Sequence, residues 1–213
     1  MLYTPPAFRL DDLAALHDHM DRTGLAMIVT VGAEGPLISH VPLLLDRNEG
    51  THGTLRGHLA KANPQIALSD TGREAVAVFP GPDAYVSPGW YATKREHGRV
   101  VPTWNYAVVH ARGRLSFFED SDRLQDVVDR LTQRHEAGRP GPWSIFDAPA
   151  PFIAAQLKGI VGFEISIERI EGKQKLSQNR SQDDRAGVVQ GLEASEARCA
   201  HEIARLMRTK SQG

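Results

Sequence analysis

Within GTLRGHLAKANPQ, residues 53 to 65, six positions carry Arg56, His58 and Lys61, and Asn63 follows. The stretch begins in a strand pattern and ends in a helix pattern. Two cations and an imidazole beside a helix N-terminus suit a phosphate, because the first helical N–H groups lack intrahelical partners and carry partial positive charge. Composition supports a solvated turn equally well, since no Gly-rich phosphate loop of the P-loop or dinucleotide type is present. Asn63 is expected to cap the helix whose first turn contains Pro64.

Three further stretches carry polar groups where an apolar pattern breaks. In LISHVPLLLD, residues 37 to 46, Ser39 and His40 interrupt an apolar strand. A strand histidine is more often a satisfied structural group than a base, so no proton-transfer role is assigned to it. SPGWYATKREHGRVVPTWNY, residues 87 to 106, holds two Trp and two Tyr among cations. A connection this long and aromatic is functional rather than disordered. Its Trp104-Asn105-Tyr106 triplet either plugs a barrel end or walls a flat ligand, and both readings stay open. GKQKLSQNRS, residues 172 to 181, puts Lys175, Gln178 and Asn179 at a strand end, lining a pocket or facing water.

Other chemistries lack their patterns. There is no HExxH, GxSxG or CxxC, and no catalytic residue can be named. His17 and His19 are i and i+2 on a helix and do not face one another, and one cysteine, Cys199, cannot build a thiolate-rich zinc site, so no metal is expected.

The elements that must position these residues follow from periodicity. Residues 11 to 22 read as an amphipathic helix, and 25 to 31 and 37 to 46 as a strand pair around Glu34-Gly35-Pro36. REAVAVFPGPDAYVSP reads as two short strands broken at Gly81-Pro82, with further strands over 107 to 118 and 160 to 172. Helices are expected over 121 to 137, 147 to 159 and in the C-terminal stretch. Many short strands favour an α+β barrel-like core over a parallel βαβ sheet.

The 213 residues suit one domain, and a net charge of −1 gives no electrostatic footprint for nucleic acid. No stretch approaches 18 uninterrupted apolar residues and the N-terminus lacks a secretory pattern, so no membrane association and a cytoplasmic location are expected.

Taken in order, MLYTPPAF, LRGHLAKANPQ, AYVSPGWY, VPTWNYAVVHARGRL and KLSQNRS resemble the PaiB family, labelled FMN-binding negative transcriptional regulators. The resemblance runs from residue 1 to about residue 192, leaving 193–213 as a C-terminal helical tail. It implies an α+β FMN-binding split β-barrel, mainly antiparallel, forming a homodimer with FMN at the subunit interface. The phosphate would be held by Arg56, His58, Lys61 and Asn63, and the ring would lie along the strand containing Ser39 and His40. The partner subunit would contribute Trp104 and Asn105, with Lys175, Gln178 and Asn179 as further candidates. The family's GKWKLSQN pattern carries Gln174 here where tryptophan is expected, which puts a wall of the flavin pocket in question. DNA binding is implied by the family label alone. The alternative is a flavin-dependent oxidoreductase, of the pyridoxamine-phosphate-oxidase or flavin-reductase kind, or a haem-handling relative, since flavin performs hydride chemistry itself.

Overall fold

The structure is a computed structural model that describes residues 2–209. Its strands are β1 (Arg9–Leu10), β2 (Ala26–Gly32), β3 (Gly35–Val41), β4 (Leu44–Asp46), β5 (Thr54–Ala60), β6 (Glu74–Val86), β7 (Thr103–Phe118) and β8 (Ile160–Lys175). Its helices are α1 (Leu13–Arg22), α2 (Gln65–Leu68), α3 (Thr93–His97), α4 (Ser121–Glu136), α5 (Ala150–Leu157), α6 (Gln182–Glu193) and α7 (Arg198–Thr209). The strands form one sheet in the order β3-β2-β6-β7-β8-β5-β4, with β1 paired to β8. The β1–β8, β2–β3, β2–β6, β4–β5 and β5–β8 pairings are antiparallel.

Two compact units are distinguishable. Among the described residues, the terminal unit comprises 2–16, Pro80–Val109 and 171–209; the central unit comprises His17–Phe79 and His110–Ile170. Strands β6, β7 and β8 therefore contribute residues to both.

In the central unit, β2 buries every second residue, Ala26, Ile28 and Thr30, as period-2 alternation requires. Ile28, Leu59, Leu115 and Phe163 meet in its interior with Thr30 and Gln65. Helix α4 opens on Asp120, whose carboxylate accepts the Arg123 N–H at 2.9 Å, and buries Leu124, Val127 and Leu131 against Leu44, Phe118 and Leu157. Each such side chain contributes about 1.5–3 kcal/mol by leaving water.

The terminal unit has its own core, in which Ala84, Val86, Tyr91 and Leu176 pack with Val188 and Leu192 of α6 and Ile203 and Met207 of α7. The C-terminal stretch expected as a tail thus supplies a helix that buries four residues here. Gly187 and Gly191 lie one turn apart on α6. A Cβ at Gly187 would stand 2.1 Å from the Trp90 carbonyl oxygen, and one at Gly191 would stand 2.3 Å from the Trp90 indole. Their missing side chains make the seat for the 3-10 turn Pro88–Trp90.

Four local expectations change. The strand broken at Gly81-Pro82 is one strand, β6, whose prolines sit where it passes from the central to the terminal unit. Strand β7 starts at Thr103, four residues earlier than the pattern indicated, and takes in the Trp-Asn-Tyr triplet. The aromatic connection before it holds the 3-10 turn and α3. Helix α3 is tied to α6 by the Thr93 N–H and hydroxyl, both donating to the Asp184 carboxylate at 3.0 Å. Strands β3 and β4 are separate, divided at Pro42, which has no N–H to donate to a ladder.

Candidate functional site

The candidate residues fall into two groups, one in each unit. In the central unit β5 delivers Arg56 and His58, and a tight turn then leads through Lys61 and Asn63 into α2. The Asn63 amide donates to the Ser39 hydroxyl at 3.0 Å, and its carbonyl accepts the Gln65 N–H at 2.9 Å. Asn63 therefore caps α2, as its position before Pro64 indicated, while joining the turn to β3. His40, exposed, points to the opposite face of β3 from Ser39.

Gln65, which the motif reading did not single out, fastens this turn. It is only 3% exposed, and its amide donates to the Thr30 hydroxyl at 2.9 Å and to the carbonyls of Leu37 and Ile28 at 3.2 and 3.3 Å. Those partners lie on the β2–β3 hairpin, so α2 and the hairpin are held together. The only signal available in the sequence was a long polar residue placed next to Asn-Pro.

Lys61 pairs with the Glu119 carboxylate, and the side chains are 53% and 63% exposed. An ion pair in that setting contributes about 0–1 kcal/mol, so the ammonium is readily released to another anion. Arg56 is in a different position. Its guanidinium donates to Asp46, to both Glu49 oxygens at 2.8 and 2.5 Å, and to Glu164 at 3.3 Å. Its hydrogen bonds to Glu49 come first among the causes that raise its pKa. Arg130 also donates to Asp46, and burial, which pushes the Asp46 carboxyl up, is outweighed by the Arg130 and Arg56 hydrogen bonds, so Asp46 titrates below its ordinary 3.8. A phosphate arriving at Arg56 would have to displace a carboxylate. His58 is partly buried, and burial lowers its pKa, so its ring is neutral at pH 7; its Nδ1 has no hydrogen-bond partner.

In the terminal unit strand alternation splits the Trp-Asn-Tyr triplet. Trp104 is 53% exposed and meets Tyr85 edge to face, with centroids 6.0 Å apart. Asn105 is wholly buried. Its amide donates to the Ser177 hydroxyl at 3.0 Å, and that hydroxyl donates back to the Asn105 carbonyl at 3.2 Å. Ser177 has φ +60, a left-handed conformation rare outside glycine, held by this pairing. The Lys175 ammonium donates to the Thr103 hydroxyl at 2.6 Å and the Trp104 carbonyl at 2.5 Å; burial first, then Lys173 and Arg180, lower its pKa. Lys173 itself donates to the Tyr3 carbonyl at 2.9 Å and lies over the Tyr3 and Tyr106 rings. Gln178 is used within its own turn, accepting from Leu176 N–H and donating to the Gln174 carbonyl, whereas Asn179 is exposed.

The fold thus brings Ser39 and Asn63 together near the base of the Lys61 turn, commits Arg56 to carboxylates, and turns Asn105 inward. The central group offers a hydroxyl, an amide and a releasable ammonium, a donor set suited to a phosphate dianion.

Residues 2–169 match the family model described as "Putative FMN-binding domain". The chain is 33% identical over 210 residues to the Protease synthase and sporulation protein PAI 2 of Bacillus subtilis (strain 168), covering 98% of each. Among solved structures it is similar to the conserved hypothetical protein Rv2991 of Mycobacterium tuberculosis, with TM-score 0.59, 12% identity, and 85% of this chain and 95% of that one covered. It is also similar to the FAD and heme binding protein of Mycobacterium smegmatis, with TM-score 0.58, 14% identity, and coverage of 84% and 78%. At such identities the likeness is one of fold, an α+β split β-barrel with peripheral helices.

Proposed function

The chain belongs to the PaiB family of FMN-binding domains, and from that premise we propose that it is a homodimeric, flavin-responsive negative regulator of transcription acting in the cytoplasm. The observation that carries the flavin part is the Ser39–Asn63 hydrogen bond next to a lysine held only by a solvent-exposed ion pair. Lys61 would neutralise the FMN phosphate, Ser39 and Asn63 would direct hydroxyl and amide hydrogens to its oxygens, and Gln65 would keep the turn in place. FMN, when bound, supplies reversible hydride and electron acceptance. Arg56 acts in this reading as a strut that holds β4, β5 and β8 in register.

Trp104 of the partner subunit is the proposed cover for the flavin ring, because an indole half exposed on a rigid strand is an aromatic face free for stacking. Asn105 supports that strand from beneath. Lys175, held on the Trp104 carbonyl, fixes the strand end and places a cation near the ring's edge. The regulatory part of this reading rests on the label of the family to which the chain is kin over nearly its whole length. A net charge of −1 argues against tight DNA binding by one subunit, so promoter binding is assigned to the dimer.

The test is a visible spectrum of protein purified without added cofactor, recorded before and after anaerobic NAD(P)H. Flavin bands that persist, with salt-sensitive binding to its own promoter, support the regulator. Bands that bleach promptly would replace it with a flavin reductase. A monomer by light scattering that still binds FMN tightly would reject the two-chain site.

A further inference from the structure

A cavity of about 590 Å³ lies in the central unit beneath α4 and α5, with a floor made by Leu124, Ile145, Ile153 and Leu157. That volume is within the range of small-molecule pockets, roughly 300–1,000 Å³. Alanines at 148, 150 and 154 leave the space open, and at its edge Phe146 is 72% exposed, a large apolar surface left uncovered.

One end of the cavity is cationic. The Lys61 N–H donates to the Gly159 carbonyl at 2.8 Å, which brings the backbone of Lys158 beside that of Lys61, and both lysine side chains line the cavity. Glu119 is the one carboxylate on the lining, and it pairs with Lys61. No ion pair is found for Lys158 among the described residues.

From this apolar floor with an uncompensated amine at one end, we infer that the cavity binds an amphipathic carboxylate: an acyl or aryl chain lies on Ile145, Ile153 and Leu157, and its carboxylate meets Lys158. The site does not depend on the flavin reading and shares only Lys61 with the residues proposed for the phosphate.

The probe is decanoate, titrated calorimetrically into the full chain both without and with added FMN. One decanoate per chain is expected. Ala154→Phe, on the exposed side of α5 where it fills the cavity, should abolish saturable binding, and Lys158→Gln should weaken it about fivefold and flatten its salt dependence. Neither substitution should alter the FMN titration. Should Ala154→Phe impair folding, Lys158→Gln carries the test alone. Absence of saturable binding, or binding indifferent to these substitutions, would overturn the inference. So would displacement of FMN by decanoate, which would make the cavity part of the flavin's own site, or conversion of a dimer to monomer by Ala154→Phe without any decanoate binding, which would make it a subunit contact.

Discussion

Replacing Asn105 by alanine isolates what the inward-facing member of the Trp-Asn-Tyr triplet contributes. The side chain is wholly buried, and it exchanges two hydrogen bonds with Ser177, at 3.0 and 3.2 Å, and places its amide 3.5 Å from the Met207 sulfur. Removing it leaves the Ser177 hydroxyl buried without that partner, at a cost of about 1–3 kcal/mol. The space vacated in the terminal core adds about 1 kcal/mol, and Ser177 loses the contact that offsets its left-handed backbone. The sum is about 2–4 kcal/mol. With a denaturant slope of about 2–3 kcal/mol per molar urea, the unfolding midpoint should fall by roughly 1 M. Trp104→Ala, on the solvent side of the same strand, should cost about 1 kcal/mol or less, chiefly the edge-to-face contact with Tyr85. A double substitution Asn105→Ala, Ser177→Ala should cost clearly less than the two singles added, because it removes both partners. A midpoint for Asn105→Ala within 0.2 M of the parent, on the order of measurement error, or a larger loss from Trp104→Ala, would refute the assignment of inner and outer faces.

Lys61→Ala should weaken FMN binding by about 1–3 kcal/mol in a fluorescence titration while leaving stability within about 1 kcal/mol, because its present partner Glu119 is exposed; unchanged affinity removes Lys61 from the phosphate site. Asp46 has a folded pKa below its ordinary 3.8, so the stabilisation it provides is present above that value and is lost as pH falls through the lower folded one. Asp46→Asn should therefore lose less stability than the parent between about pH 4 and pH 2, read from urea midpoints along the series, and parallel curves would contradict this. Gly187→Ala sets a methyl 2.1 Å from the Trp90 carbonyl oxygen and should destabilise by about 1–3 kcal/mol, measured by thermal melting.

Periodicity carried much of the fold. The apolar spacing of 121 to 137 indicated α4, the Glu34-Gly35 punctuation indicated the β2–β3 hairpin, and Asn63 before Pro64 indicated a cap. What escaped it had physical causes. Three hydrogen-bonding residues in a row resemble a loop, yet on β7 the pleat sends Asn105 inward and Trp104 outward, and the inward amide finds Ser177 from 72 positions away. Pro80 and Pro82 look like strand breakers but are accommodated within β6. The carboxylates that engage Arg56, on Asp46, Glu49 and Glu164, lie 10, 7 and 108 residues off and come together only in the folded sheet. Gln65 was missed because nothing local reveals that its amide reaches three groups on the hairpin.

The engagement of Arg56 changes how this motif informs about other chains. An arginine surrounded by three acids is retained wherever those acids are retained, whether or not a flavin is present, so its occurrence in a related sequence carries almost no information about cofactor use. Asp46, Glu49 and Glu164 should change together with it, as a coupled structural set. Diagnostic weight passes to Lys61, whose side chain is held only by an exposed ion pair with Glu119 and which no core interaction forces to be an amine, and a survey of relatives sorted on that position should separate flavin-retaining chains from chains that keep only the barrel.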